Sequence, residues 1–460
     1  MPDAIDLQGL TPLDHVPAKL FLPYILLFDT TDPKTAVCSL QKGINKLISQ
    51  LPWLAGDVIF HSVPGGPKNR MHIASPRRSP SEIPMLQVKH IDRDEHFRAL
   101  PIHTYLPLPT FIPASEQRPV LRFQANVFPS KIALVMSFCH SVFDGTGAGV
   151  ILEAIAECCK TANDDFPSPI VQTIAKTQTE LRKKVSAFPS KCQLRLDHTT
   201  ELGAPVFDPK ISTEQWNAIE SAAASAVETK RYTFSPEKVA QVKETCTRLL
   251  PQGQPFPAWI SSNDIITATL VICLDRAFHP ERLDKTGSAD FLVAVDLRSR
   301  VQPPLPETYL GNFIFPVHDE IYFKDITGQT REEADSLHVA QLALRIRTRL
   351  ASMDETVAYS ASAAVADYDN WTKIEANPAN IIVTSWRGLK TFSLDFGAGL
   401  GYIKDFEPGL ALVPGACIFL PSRMLQENSG STPPWEVCIT MKKGDSQLLG
   451  QDLLFSQILA

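Results

Sequence analysis

A mixed fold of helices and strands, α/β or α+β, in two domains is what three features of the sequence predict. The chain has 460 residues, too long for one ordinary compact domain and natural for two of roughly 200 each. Segments of period two and segments of period 3.6 are interspersed in both halves. Between about 160 and 230 the chain turns polar and is interrupted by proline, which reads as a crossover. The expected boundaries are an N-terminal domain over 1–190, a linker over 191–230 and a C-terminal domain over 231–460.

Composition narrows the function classes. Hydrophobic residues make up 44% and charged residues 20%, the profile of a globular protein with a real core. The 37 prolines predict long, irregular connections. A net charge of only -6 with no dominant basic stripe argues against nucleic acid as a partner. The nine cysteines are scattered without a CxxC, which fits free thiols in a reducing cytosol. The longest apolar stretch, Ile265 to Leu274, is too short for a membrane span and contains Thr267 and Thr269. No signal peptide is read at the start, and a cytoplasmic monomer without a metal is expected.

The elements follow in chain order. Val37, Leu40, Ile44, Leu47 and Leu51 recur at steps of three and four, an amphipathic helix that Pro52 ends. LRFQANVF (121–128) alternates strictly, a half-buried strand, and IALVMSF follows after a turn at Pro129–Lys131. GTGAG (145–149) then opens a helix. Ser235-Pro236 is a capped helix start, with Val239, Val242, Cys246 and Leu249 at helical spacing. A helix after Ser262, a strand FLVAV (291–295) and a long helix from about Glu332 to Ala351 come next. Short strands NIIVT, LALV, CIFL and WEVCITM close the chain.

The segment richest in chemistry is FCHSVFDGTG (138–147). His140 leaves a buried strand and meets a tight turn, with Asp144 four residues on. A neutral histidine placed this way can take a proton from a hydroxyl as it attacks a carbonyl, worth about 10²–10⁴-fold in rate. Asp144 is expected to brace the turn, by pairing with an arginine, and so to keep the imidazole oriented. HxxxD by itself is equally compatible with a satisfied core histidine and a turn aspartate.

Other motifs fail. GTGAG lies between strand and helix, but Val150 stands where a dinucleotide fingerprint needs its third glycine. GAGLG (397–401) fails likewise at Tyr402. No GxSxG offers a nucleophile elbow, and no HExxH suggests a metal.

Several segments, in order along almost the whole chain, resemble the BAHD family of coenzyme A-dependent acyltransferases. HSVFDG matches its HxxxDG signature, and DFGAG (395–399) resembles its DFGWG, with Ala398 in place of the tryptophan. VDLRSRVQPPLPETYLGN (295–312) and VTSWRGL (383–389) are similar to the family's intervening segments, and LTPLD (10–14) and LPWLAG (51–56) to its opening ones. The likeness is to the fungal branch, trichothecene O-acetyltransferases among them, which also relax the second signature.

The resemblance implies two chloramphenicol-acetyltransferase-like domains with mixed sheets and a channel between them. It implies His140 as general base in a ternary complex without an acyl-enzyme, with Thr384 and Trp386 close to the thioester oxygen. Asp395 is expected to pair with Arg298 or Arg300, and Gly397 and Gly399 to shape the same structural loop. Ser261, Ser262 and Asn312 are candidates for lining the coenzyme A side, although Ser262 reads equally well as a helix cap. The implied co-substrates are a coenzyme A thioester, with acetyl-CoA expected, and a small secondary-metabolite alcohol. A condensation-type domain using carrier-bound acyl groups shares HxxxDG, but its signature opens with two histidines, whereas Cys139 precedes His140. A non-catalytic metabolite-binding relative is the third class considered.

Overall fold

The computed structural model describes residues 8–62, 65–76, 83–91, 102–164, 166–203, 211–250, 259–280, 288–322, 330–409, 413–423 and 432–460. The first half carries strands β1 (Gln8–Gly9), β2 (Phe21–Asp29), β3 (Asp57–His61), β4 (Arg70–Ala74), β5 (Leu86–His90), β6 (Leu121–Val127) and β7 (Lys131–Cys139). Helix α1 (Pro33–Gln50) lies between β2 and β3, and α2 (Gly145–Lys160) and α3 (Pro169–Ser186) follow β7. Next come β8 (Leu202–Gly203), α4 (Thr213–Ala226), β9 (Val227–Phe234), α5 (Pro236–Leu249), α6 (Ser262–Phe278), β10 (Ser288–Asp296) and β11 (Ile314–Tyr322). The remainder is α7 (Arg331–Ala351), α8 (Glu355–Ala366), β12 (Glu375–Ala376), β13 (Ile381–Ser385), β14 (Asp405–Glu407), β15 (Ala416–Phe419), β16 (Trp435–Lys442) and two short helices, Asp445–Gln451 and Leu453–Ile458.

Two main sheets organise these elements. One runs β14-β2-β7-β6-β5 and the other β11-β10-β13-β15-β16-β9. Both are mixed: β5 lies parallel to β6, and β13 parallel to β10 and β15, while the other pairs are antiparallel. The halves are laced together, because β14 from the second half adds an edge strand to the first sheet along β2. The core on α1, α2 and β7 therefore continues into Ile418, Leu420 and Cys438 of the second half.

Local sequence explains most boundaries. Asp32 caps α1, accepting from the Thr35 amide, and Pro33 is its first residue. Ser235 caps α5 ahead of Pro236, as the Ser-Pro pair predicts. The stretch from 160 to 230 carries two helices, α3 and α4, and Val171 and Ile174 of α3 enter the first core. LALV begins in residues outside those described.

Two local readings need correction. Residues 121–127 are buried on both faces rather than half-buried. Their polar positions find partners within the strand and on a covering segment. Gln124 donates to Asn126 at 2.8 Å, and Asn126 donates to the Tyr105 carbonyl at 3.0 Å. Alternation therefore marks two faces of different chemistry, with no water on either. The cap of α6 is Ser261, not Ser262: Ser261 and Asp264 satisfy each other's amides in a capping box.

Candidate active site

His140 sits immediately beyond β7, where the strand has just left the buried core. Its amide donates to the Leu20 carbonyl at 2.9 Å, which fixes the backbone at the end of the β2–β7 ladder. The ring Nδ1 lies 3.0 Å from the Phe143 carbonyl. A carbonyl only accepts, so Nδ1 carries the proton and Nε2 keeps its lone pair. Burial lowers the imidazole pKa from its ordinary value. The hydrogen bond to Phe143 and the Asp144 charge oppose that shift, and Lys19 adds to it. The ring is therefore mainly neutral at pH 7, with no hydrogen bond to Nε2 from the described residues.

Asp144 holds the turn rather than the ring. It is fully buried and caps α2, accepting from the Gly147 amide at 2.8 Å and the Phe313 amide at 2.9 Å. Arg298 grips both its oxygens, at 2.8 and 3.0 Å, and also donates to the carbonyls of Tyr309 and Gly311. This is the fork geometry in which arginine binds carboxylate most strongly. The arginine that the sequence predicts for Asp144 is thus Arg298, delivered from the segment after β10.

The glycines of GTGAG have a packing reason. A Cβ on Gly147 would stand 2.2 Å from the Leu310 carbonyl oxygen, so the start of α2 can approach the 309–312 segment only without a side chain. That explains the glycine without any nucleotide. Trp386 packs against Gly145 on the same turn, its Nε1 2.6 Å from where a Cβ would be. Tyr24 wedges between them, with its hydroxyl donating to the Gly145 carbonyl at 3.0 Å and its ring 5.0 Å from that of Trp386. Thr384 lies half-buried on β13, in register with Ile418 of the core that holds β7. The structure therefore brings His140, Asp144 and Trp386 to one turn and puts Thr384 on the neighbouring strand.

Asn312 is corrected from coenzyme A lining to a strut. It is fully buried, and its Nδ2 donates to the His140 carbonyl at 2.8 Å and to Asp14 at 3.1 Å. Asp14 in turn accepts from the Asn312 amide at 2.7 Å, from Thr11 and from Arg182 at 3.1 Å. Asp14, Arg182 and Tyr24 thus support the histidine turn. The signal for Asp14 was its place in LTPLD; nothing local marked Arg182 or Tyr24. Ser261 is likewise engaged, accepting from Asp264 and from Arg347 at 2.8 Å. Ser262 lies half-buried in the first turn of α6.

The expected pairing of Asp395 with Arg298 or Arg300 does not occur. Asp395 pairs with Lys160 at 3.0 Å, Arg298 is committed to Asp144, and Arg300 donates to the carbonyls of Leu350 and Met353 behind α7. The reason is the length of α2. Asp144 caps its N-terminus and Lys160 is its last residue, so the two ends stand about 22 Å apart at ~1.5 Å per residue. Each end takes the charge that suits its dipole, or the counter-charge of a residue that does. Gly397 and Gly399 have φ of 78° and 86°, and added Cβ atoms would meet Lys160 Cα at 2.8 Å and the Ala36 amide at 2.9 Å. The DFGAG loop is thus docked onto α1 and α2, with the Ala398 carbonyl accepting from Ser39 at 3.2 Å.

A narrow cavity, partly open to solvent, lies near this turn through Leu20, whose carbonyl holds the His140 amide. It is lined from the first half by Lys19, Leu20, Phe60, Ile112 and Arg118, and from the second by Thr372 and Glu375. No group of residues able to hold a metal ion occurs among the described residues, and none of their helices is long and apolar enough to cross a membrane.

Two mixed sheets, laced by β14 and by the Arg298–Asp144 pair under the histidine turn, define the architecture in which the site sits. The family model described as Transferase family matches residues 101–441. The chain is 32% identical to the communesin N16 acyltransferase of Penicillium expansum, spanning 94% of this chain and 93% of the relative. It is 30% identical to the fumigaclavine B O-acetyltransferase of Aspergillus fumigatus, spanning 97% and 96%. Among solved structures, F. graminearum TRI101 complexed with coenzyme A and deoxynivalenol has the same fold, with a TM-score of 0.76 at 17% identity over 98% of this chain and 99% of that one. Vinorine synthase matches at 0.62 and 15%, over 100% and 95%. The chain belongs to this transferase family, the BAHD acyltransferases, and is an acyltransferase similar to its fungal members.

Proposed function

We propose that the protein transfers an acyl group, acetyl by preference, from coenzyme A to a hydroxyl of a small secondary metabolite, with His140 as general base. The observation that carries this reading is the His140 ring, with its Nδ1–H donated to Phe143 and no hydrogen bond to Nε2 from the described residues. Nε2 takes the proton from the acceptor hydroxyl as its oxygen attacks the thioester carbonyl. The carbon–sulfur bond then breaks, an ester forms, and the proton passes from the imidazolium to the departing thiolate. No residue is acylated. Thr384 and Trp386 are the proposed neighbours of the thioester oxygen, supported by Trp386 lying on the His140 turn.

Names of relatives supply the chemistry of the substrates. Fumigaclavine B is an O-acetylation substrate by the name of one relative, and several others are called O-acetyltransferases. One is called an N16 acyltransferase, so hydroxyl transfer is the majority reading. Coenzyme A is bound in the TRI101 structures. The proposed working form is a monomer, since the cavity draws on both halves of one chain. The two-domain division at about 190 and 230 is proposed on the same basis.

The test is thiol release from acetyl-CoA with and without a mixture of alcohols, beside His140→Ala. Release should rise with the acceptor and fall by about 10²–10⁴-fold in the variant. Release that ignores the substitution would remove His140 from the mechanism.

A further inference from the structure

The cavity near the His140 turn contains a charge that no group among the described residues balances. Arg118 lines it and is 2% exposed, yet its Nε and Nη2 have no hydrogen-bond partner among the described residues. Its guanidinium faces the Phe60 ring at 5.4 Å, a contact that leaves the edge donors unused. The other charges on the wall are already committed. Lys19 donates to the carbonyls of His15 and Ile374, at 2.5 and 2.6 Å, and lies 4.0 Å from Glu375. Lys19 and Glu375 offset each other, so the wall carries one surplus positive charge, and it is on Arg118.

A buried guanidinium with two unpaired donors is costly to keep, because water is lost there and no carboxylate among the described residues replaces it. Nε and Nη2 form one edge of the guanidinium fork, two parallel donors spaced for a pair of oxygens. The position matters as well. Leu20 lines the cavity, and its carbonyl accepts the His140 amide. Arg118 itself precedes the segment leading into β6, and the Val120 carbonyl accepts the Cys139 amide next to His140. A molecule held by Arg118 therefore lies against the segments whose carbonyls fix the backbone at Cys139 and His140.

Resting on the acyl-transfer reading, we propose that Arg118 is the specificity determinant of the acceptor site. It selects acceptors that present a carboxylate or carbonyl oxygen beside an apolar ring body. The apolar body meets Leu20, Phe60, Phe111 and Ile112, and the oxygen meets the Nε–Nη2 edge. Acceptors whose only polar group there is a protonated amine are disfavoured by the surplus charge.

The test uses the full chain and two alcohols of similar shape. One is 4-hydroxycyclohexanecarboxylate; the other is 4-isopropylcyclohexanol, in which methyl groups replace both oxygens. By calorimetry without turnover, the native protein should bind the carboxylate at least about tenfold more tightly, as expected for a desolvated charge-assisted pair. Arg118→Gln should abolish that preference, and Arg118→Lys should retain part of it. Ala114 lines the cavity and is exposed, so Ala114→Trp narrows the mouth without disturbing the core, and it too should abolish binding of the carboxylate. Equal binding of the two alcohols, binding of neither, or a preference that survives Arg118→Gln or Ala114→Trp overturns the proposal. Thiol release from acetyl-CoA is followed in parallel. Release without the preference leaves acyl transfer standing and removes Arg118; the preference without release from any alcohol does the reverse.

Discussion

Arg298 reaches from the segment after β10 to hold both carboxylate oxygens of Asp144, at 2.8 and 3.0 Å, with both side chains almost fully buried. The pair ties the second half of the chain to the turn that carries His140. It also neutralises the one carboxylate that would otherwise sit unpaired at the start of α2.

Removing one member should therefore cost far more than a surface ion pair. Arg298→Met leaves Asp144 buried with only two amides, and a loss of about 3–5 kcal/mol in urea unfolding is expected. Arg298→Lys should recover little, because a single ammonium cannot reproduce the fork or reach the Tyr309 and Gly311 carbonyls together. Near-native stability in the methionine variant would show that the pair is dispensable.

The pH profile of turnover follows from His140. Burial holds its pKa below the ordinary value of 6.5, so the neutral, basic form predominates at pH 7 and is lost as pH falls through a value lower than 6.5. The acid limb of kcat/KM should have its midpoint below 6.5. Lys19 also lowers that pKa, so Lys19→Met should move the limb upward in pH. A native midpoint at or above 6.5, or a downward move in the variant, contradicts the assignment.

Asn312 provides a separation of roles. If it is a strut under His140, Asn312→Ala should lower stability by about 1–3 kcal/mol, since it takes the side-chain donor from the His140 carbonyl and one of two donors from a buried Asp14 oxygen. In that case kcat falls while KM for acetyl-CoA stays within about twofold, because only the positioning of the base is lost. A raised KM for acetyl-CoA with unchanged kcat would restore the lining role.

The DFGAG loop should be tolerant of charge and intolerant of shape. Lys160 and Asp395 are partly exposed, so Asp395→Asn should cost about 0–1 kcal/mol. Gly397→Ala forces a Cβ into a positive-φ site 2.8 Å from Lys160 Cα, and about 1–3 kcal/mol or more is expected. Thermal unfolding of the two variants gives the order directly.

Much of the site was legible because it is local. His140, Asp144 and the start of α2 lie within one turn, so a strand pattern followed by a tight glycine-rich turn was enough to place them. Arg298 was legible only as one of the two arginines of the LRSR segment expected to meet Asp395, and its partner is Asp144. Asp14, Arg182 and Tyr24 gave little sign, since their roles depend on residues 121 to 298 positions away. Arg118 was silent altogether: a lone arginine before a strand looks like a surface residue until the cavity is seen.

The sequence by itself determined the two-half mixture of strands and helices, the helix caps at Asp32, Asp144 and Ser235, and the histidine turn. These depend on backbone preferences and on contacts within about four residues. Tertiary structure decided which arginine meets which aspartate, why the polar face of β6 is dry, and where a charge is left unbalanced. Side chains far apart in sequence meet only after the sheets have packed. The length of α2 then settled the pairing, placing Asp144 beside Arg298 at one end and Lys160 beside Asp395 at the other.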